Sequence, residues 1–177
     1  MKKKIILFLF TFICFLLQST VFKNITFGGV GPNLLIIVVA SFGFMLGKKT
    51  GLILGFISGI LIDLFFGTYI GFYALIYMLV GYWNGFFKRA FYPEDIKLPI
   101  ILIIVSDFIL EFLTYLFGFL MRGKIEVGYY FTKIFVPSLL YTMLIAFALY
   151  PIILCLNRYF EKLHRRSERK FGEESEE

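Results

Sequence analysis

Four ionisable side chains interrupt the apolar stretches of this sequence: Asp63, Asp107, Glu111 and Lys133. Asp107 and Glu111 are four residues apart, a spacing that places two carboxyl groups on one face of a helix. Because two like charges repel each other there, we expect one of the pair to hold a proton. Paired carboxyl groups can serve acid–base catalysis, bind a ligand, or simply form buried hydrogen bonds.

Catalysis is the least favoured of these uses. An intramembrane aspartyl peptidase needs two carboxyl groups at one depth, where they share a proton and activate water. At 1.5 Å per helical residue, Asp63 lies about 5 Å from the outer end of its apolar stretch, and Asp107 lies about 21 Å from the outer end of its own. The sequence has one histidine, His164, in a basic segment, and it has no Walker A loop or metal-type cysteine pair. We therefore predict no catalytic residues, no metal site and no cofactor.

The elements that carry these residues are predicted from hydrophobicity. Of 177 residues, 59% are hydrophobic and 17% are charged, which excludes a soluble domain and a disordered chain. A bilayer core about 30 Å thick needs about 20 apolar residues per helix. The pattern predicts an all-α, polytopic membrane protein with a six-transmembrane-helix bundle at residues 1–156. Its spans are about 5–22, 33–47, 50–66, 69–87, 98–121 and 129–156.

The second and third spans are short, so either they thin the bilayer as tilted partners or one of them is only partly inserted.

The orientation of the chain in the membrane follows from its Lys and Arg residues, of which 14 fall on the inner side and 4 on the outer side if the N-terminus is cytoplasmic. We expect both termini in the cytoplasm, with residues 157–177 as a basic and then acidic tail. The net charge of +6 then reflects topology and anionic lipid rather than nucleic acid.

Glycine spacing is the strongest local pattern. Gly51, Gly55 and Gly59 recur every four residues and lead to Asp63, so the third helix should present a ridge of small residues. Gly71 and Gly81 reduce the bulk of the surface that the fourth helix turns toward the third. The ridge serves either packing inside the bundle or an interface with a partner subunit.

The intramembrane polar residues keep three interpretations open: buried hydrogen bonding, contact with a membrane partner, and binding or transport. Asp63 is placed to cap or brace the turn at Gly67-Thr68. Lys133 is a candidate partner for Glu111. The basic pairs Lys48-Lys49 and Lys88-Arg89 are either topology signals or contacts for lipid head groups and cytoplasmic partners.

Three segments together resemble the family of rod shape-determining protein MreD. They are Pro32-Asn33-Leu34-Leu35, Gly51-x-x-x-Gly55-Phe56-x-x-Gly59-Ile60-Leu61-x-Asp63-Leu64 and Gly71-x-x-Ala74-Leu75-x-Tyr77-x-Leu79-x-Gly81-Tyr82. The resemblance is specific over about residues 30–90, and Asn33 stands where the family often has Asp. The fifth and sixth spans match only as hydrophobic stretches, so the resemblance does not explain Asp107 and Glu111.

The resemblance implies a non-enzymatic component of the bacterial elongation (rod) complex in the cytoplasmic membrane. Such a protein supports lateral peptidoglycan synthesis and cell shape beside MreC, MreB filaments, RodA and a class B penicillin-binding protein. The expected partner or packing interface is the hairpin of the third and fourth helices, with Gly51, Gly55, Gly59, Asp63, Gly71, Tyr77 and Gly81.

An alternative function is the substrate-binding membrane subunit of an energy-coupling-factor vitamin transporter, a six-helix bundle that the family is thought to resemble in fold. That function requires a ligand cavity near the outer side, which Asp63 and Glu111 could line.

Overall fold

The computed structural model describes residues 2–25, 30–67, 69–90, 96–122, 128 and 131–173. All long elements in these ranges are helices, which confirms the all-α prediction. The helices are α1 (Lys2–Asn24), α2 (Leu34–Leu46), α3 (Lys48–Phe66), α4 (Phe72–Asn84), α5 (Lys97–Arg122) and α6 (Val136–Glu173). A 3-10 segment, Gly85–Ala90, continues α4, and a π-helical turn, Phe131–Phe135, leads into α6.

Within the described residues, four stretches are long and apolar enough to cross a membrane: Lys3–Phe22, Lys48–Phe66, Lys97–Phe117 and Phe131–Lys162. By contrast, α2 and α4 have 13 residues each, which is fewer than a perpendicular span needs. Helical residues continue α4 through Ala90, so this stretch is longer than α4 alone. The chain is a membrane protein with apolar helices, and six complete spans remain a prediction.

The centre of the bundle is α2. Its sequence is apolar on every side, and every residue from Leu34 to Met45 is buried. A helix that is hydrophobic all around is stable only when other elements surround it. Each of the other five helices contacts α2, so its shortness is compensated by burial inside the bundle.

Aromatic side chains pack the outer helices onto this centre. Phe10 of α1 meets Phe42 of α2 edge to face, with ring centroids 5.9 Å apart. Phe15 of α1 packs against Phe65 of α3 at 5.1 Å. Large apolar side chains such as Leu64 and Leu144 are more than half exposed on the outside, where lipid would cover them.

The two ends of the bundle are held by different contacts. At the end where α1 and α3 begin, which we call the basic end, Lys3 Nζ lies 5.4 Å from the Phe160 ring centroid. Lys48 Nζ lies 3.3 Å from the Phe86 ring centroid at the same end. We call the opposite end the distal end. There the start of α6 contacts the residue after α1, because the Tyr141 hydroxyl donates to the Ile25 carbonyl at 3.1 Å.

Candidate functional site

The glycine ridge of α3 packs against α4 of the same chain. A Cβ atom on Gly51, Gly55 or Gly59 would lie closer than 3.0 Å to backbone atoms of α4, and for Gly55 one of these is the Met78 Cα at 2.9 Å. On the α4 side, a Cβ on Gly81 would clash with the Gly51 carbonyl. Two antiparallel helices therefore meet backbone to backbone, as small residues permit in lipid.

Asp63 closes this hairpin at the distal end. Its Oδ2 accepts hydrogen bonds from the backbone N–H groups of Gly71 at 2.9 Å and Ala74 at 3.0 Å, and its Oδ1 accepts from Tyr73 N–H at 2.9 Å. The first N–H groups of a helix have no partner within the helix, and they attract negative charge. Asp63, 2% exposed, thus caps α4 from the last turn of α3.

Gly71 makes this geometry possible. It is the residue before α4 and has φ of +100°, a left-handed conformation in which side chains other than glycine are strained. Apart from its two chain neighbours, no described residue has an atom within 4 Å of the position that its Cβ would take. The need for glycine at this position is therefore conformational, whereas at Gly55 it is steric.

Tyr77 connects α4 to the start of α2. Its hydroxyl donates to Asn33 Oδ1 at 2.8 Å, and the same oxygen accepts from the Ile36 N–H at 3.2 Å, as an N-cap residue does. Gln18 of α1 accepts from the Leu35 N–H at 3.1 Å, and Thr142 of α6 accepts from the Asn33 N–H at 3.1 Å. Side chains from two other helices thus accept from backbone N–H groups at the N-terminus of the central helix, and Tyr77 holds the Asn33 cap in place. Sequence reasoning did not single out Gln18 or Thr142, although each is a polar residue within an apolar stretch.

The carboxyl pair of α5 lies inside the bundle. Asp107 is fully buried beside the Thr142 side chain and near Glu111, and its oxygens make no hydrogen bond of good geometry to the described residues. Glu111 accepts a 3.1 Å hydrogen bond from the Ser138 hydroxyl of α6. Lys133 is exposed on the π-helical turn. The structure thus gives Glu111 a neighbour, Ser138, that sequence reasoning missed.

A cavity of about 500 Å³, here called the polar cavity, opens among the distal ends of the helices. Glu111 lines it and Asp63 does not, so these two carboxyl groups do not converge on one ligand site. Its lining comprises Gln18, Ser19, Phe22, Val30, Gly31, Pro32, Asn33, Ile62, Phe66, Tyr73, Tyr77, Leu110, Glu111, Thr114 and Ser138.

A second depression, here called the lateral groove, runs between α4 and α5 and has a volume of about 230 Å³. At its floor Asn84 Nδ2 donates to Ser106 Oγ at 2.7 Å and to the Val80 carbonyl at 2.8 Å. Asn84 Oδ1 is buried without a hydrogen-bond donor among the described residues. The remaining lining is apolar: Ile76, Leu79, Val80, Trp83, Phe87, Leu102, Val105, Ile109 and Leu113.

The basic pairs come together at the basic end. Lys48, Lys49, Lys88 and Arg89 line a notch of about 600 Å³ with Leu46, Gly47, Gly85 and Phe86. Gly47, which has φ of +99°, lies in the turn between α2 and α3, and the Lys88 side chain lies over it. Four cations, at the start of α3 and on the 3-10 segment, form a surface that attracts anionic lipid.

The geometry of the Asp63 cap, the two cavities and the basic notch suits packing and binding rather than catalysis. The Asp63 oxygens accept three backbone hydrogen bonds, which leaves this carboxylate poorly placed to activate water. In the described ranges, no three His, Cys, Asp or Glu side chains come together as metal ligands.

A comparison with protein-family models identifies the family of rod shape-determining protein MreD, whose model matches residues 2–160. No curated protein and no solved structure matches the chain. The family has a role in rod shape determination as a structural component, and it is not a known family of enzymes. Since the match covers residues 2–160 of the 177, this chain belongs to the MreD family of rod shape-determining proteins.

Proposed function

We propose that this protein is a non-enzymatic component of the bacterial elongation complex. It supports lateral peptidoglycan synthesis by holding an MreC-like protein through contacts between transmembrane helices. The same assembly brings it near RodA, a class B penicillin-binding protein and MreB filaments. We further propose that it resides in the cytoplasmic membrane with both termini inside, where the basic notch meets anionic head groups.

The lateral groove is the observation that carries this proposal. It is an apolar depression on the outside of the α3–α4 hairpin, away from the glycine ridge, which is fully occupied by the contact between the two helices. On α4 its rim is Leu79 and Trp83, which are 45% and 65% exposed. A transmembrane helix of a partner would fill such a groove better than mobile lipid tails.

Asn84 gives the groove a polar contact. Its Oδ1 atom is buried and lacks a donor among the described residues, and lipid tails cannot supply one. A partner helix with a Ser, Thr, Asn or Gln side chain facing the groove would supply it. Hydrogen bonds of this kind stabilise helix association in membranes by about 0.6 kcal/mol on average, and up to about 2 kcal/mol.

The hairpin is rigid enough to present such a groove. Backbone contact along the glycine ridge and the Asp63 cap fix α4 relative to α3. A rigid surface loses little conformational entropy on binding. In this proposal the glycines therefore act through the shape of the hairpin, and the partner touches its outer face.

Copurification tests the proposed contact. The wild-type chain and its partner from the same organism are expressed together and extracted in mild detergent. Val105→Trp fills the groove and should reduce recovery of the MreC-like protein severalfold. Leu144→Trp is the matched control, because Leu144 is 65% exposed on α6 and lies outside the groove. Equal recovery with both variants, each folded as judged by gel filtration, would contradict the proposed contact.

A cell assay tests the function itself. Depletion of the protein should turn rod-shaped cells round, and Gly59→Leu, which forces α3 and α4 apart, should fail to restore the rods. Normal shape on depletion, combined with failure of vitamin uptake, would instead support the transporter alternative.

A further inference from the structure

The basic notch lies where the start of α3 meets the 3-10 segment, and its volume is about 600 Å³. A Cβ atom on Gly85 would clash with the Lys48 backbone and lie 2.8 Å from the Gly47 carbonyl carbon. The two elements therefore touch backbone to backbone. This contact holds the pair Lys48-Lys49 beside the pair Lys88-Arg89, so the fold itself brings the four cations together.

Two of the four cationic side chains are also held by their neighbours. Lys48 Nζ lies 3.3 Å from the Phe86 ring centroid and 5.8 Å from the Tyr82 ring centroid. Lys88 Nζ lies 3.7 Å from the position that a Cβ atom on Gly47 would take. Side chains that are ordered before binding lose less conformational entropy when a ligand binds. The notch is therefore a prepared surface for a ligand.

The charges in and around the notch favour an anion. Every charged side chain that the described residues contribute to its lining is a cation. Lys3 of α1 lies close enough to Lys88 to interact with it electrostatically. Glu161 of α6 is near Lys3, but it does not line the notch, and it accepts a hydrogen bond from Asn157. Because neighbouring cations repel one another, an anion placed among them lowers the electrostatic energy.

The depth of the notch fits the phosphate groups of a bilayer. The apolar stretch of α3 begins at Lys48, so the acyl chains would begin beside the notch. Tyr82 and Trp83, close by on α4, are of the two residue types enriched at membrane interfaces. Leu46 and Phe86 supply apolar wall to the notch itself. A lipid matches both the cations and this wall, whereas an acidic protein segment matches only the cations.

Four cations suit more than one phosphate. A phosphodiester carries a single negative charge, so a lipid with two phosphates brings two charges in one binding event. Once the first phosphate is bound, the second binds at a high effective concentration. Arg89 can bind a phosphate through paired hydrogen bonds, and the lysines act as point charges. The start of α3 has no side-chain cap, and its N–H groups further favour an anion beside Lys48.

We propose that the basic notch binds a phospholipid with two phosphates, such as cardiolipin. One phosphate lies against Lys88 and Arg89, and the other lies against Lys48 and Lys49. An acyl chain packs on the Phe86 side of the notch. This inference rests on the proposed placement of the basic end among lipid head groups, and it does not involve the contact with an MreC-like protein.

Lipid-dependent stability of the full chain in a mild detergent tests this proposal. The probes are cardiolipin, phosphatidylglycerol at the same phosphate concentration, phosphatidylcholine without net charge, and the acidic peptide hexaglutamate. Cardiolipin should raise the unfolding midpoint of the wild-type protein more than any other probe does. Native mass spectrometry should show one cardiolipin retained per chain. Concentrated salt should reduce the stabilisation by cardiolipin, because salt screens the attraction between exposed charges.

Matched variants locate the effect. Lys88→Gln combined with Arg89→Gln should weaken cardiolipin binding about tenfold or more, because each cation near a lipid surface contributes about fivefold. Lys4→Gln combined with Arg158→Gln removes the same charge from exposed side chains that do not line the notch. This control should bind cardiolipin nearly as the wild type does. Arg89→Lys, which keeps the charge, should retain most of the binding.

Three results would overturn the proposal. Equal stabilisation by cardiolipin and phosphatidylglycerol would show a general attraction to anionic lipid, and this comparison needs only the wild-type protein. Equal weakening by the notch variant and its control would place the effect outside the notch. Stabilisation by hexaglutamate that equals that by cardiolipin would assign the notch to an acidic protein segment. None of these measurements includes an MreC-like protein, so the lipid site and the proposed contact succeed or fail separately.

Discussion

The Tyr77 hydroxyl donates a 2.8 Å hydrogen bond to Asn33 Oδ1 and thereby ties α4 to the N-terminus of the central helix. Tyr77 is 1% exposed, so this bond forms away from water. Asn33 Oδ1 also accepts from Ile36 N–H, and one oxygen thus serves both the helix cap and the contact between helices. The hairpin of α3 and α4 is therefore held to α2 by a polar contact as well as by packing.

A double-mutant cycle should measure this contact. Tyr77→Phe removes the donor and Asn33→Ala removes the acceptor, and we expect a coupling free energy of about 0.5–1.5 kcal/mol for unfolding in detergent. Asn33→Asp is the matched control, because a carboxylate retains both acceptor functions at the start of a helix. Additive effects of the two single substitutions would show that the hydroxyl and the amide are not coupled.

Asp63 should be hard to replace, even by its isostere. In Asp63→Asn one acceptor oxygen becomes an NH₂ group, which would face backbone N–H groups of α4. We expect a loss of about 1–3 kcal/mol in unfolding free energy, seen as a lower thermal midpoint in detergent. Glu161→Gln makes the same chemical change at an exposed carboxyl group and should leave the midpoint unchanged. A wild-type midpoint for Asp63→Asn would contradict the capping role.

The sequence predicted the helices and the ridge of small residues. It did not determine which parts of the protein contact the ridge or the buried carboxyl groups. Uncharged stretches fix where helices run in a membrane, and spacing by four placed Gly51, Gly55 and Gly59 on one face. Spacing alone does not show whether that face packs against the fourth helix or against a partner subunit, so the second interpretation stayed open beside the first. Glu111 shows the same limit, because Ser138, which donates to it, comes from a separate helix and is uncharged.

Gly71 offers a test of conformational cost without steric cost. Because its Cβ position is open and its φ is +100°, Gly71→Ala should lose about 1–2 kcal/mol through left-handed strain alone. Gly71→Asn should lose less, since Asn adopts left-handed conformations more readily. Thermal midpoints of the two variants in one detergent provide the comparison. A larger loss for the Asn variant would mean that space, rather than φ, limits this position.

Gly55 offers the opposite test, in which space is the only cost. Within a helix, Ala is favoured over Gly by about 1 kcal/mol, so Gly55→Ala would stabilise α3 if its face were open. Because a Cβ there would clash with the Tyr77 carbonyl and lie 2.9 Å from the Met78 Cα, we expect instead a net loss of about 1–3 kcal/mol in unfolding free energy. Ile53→Ala, on the exposed side of the same helix, controls for changes elsewhere on α3. A Gly55→Ala protein more stable than the wild type would show that the two helices are not in backbone contact.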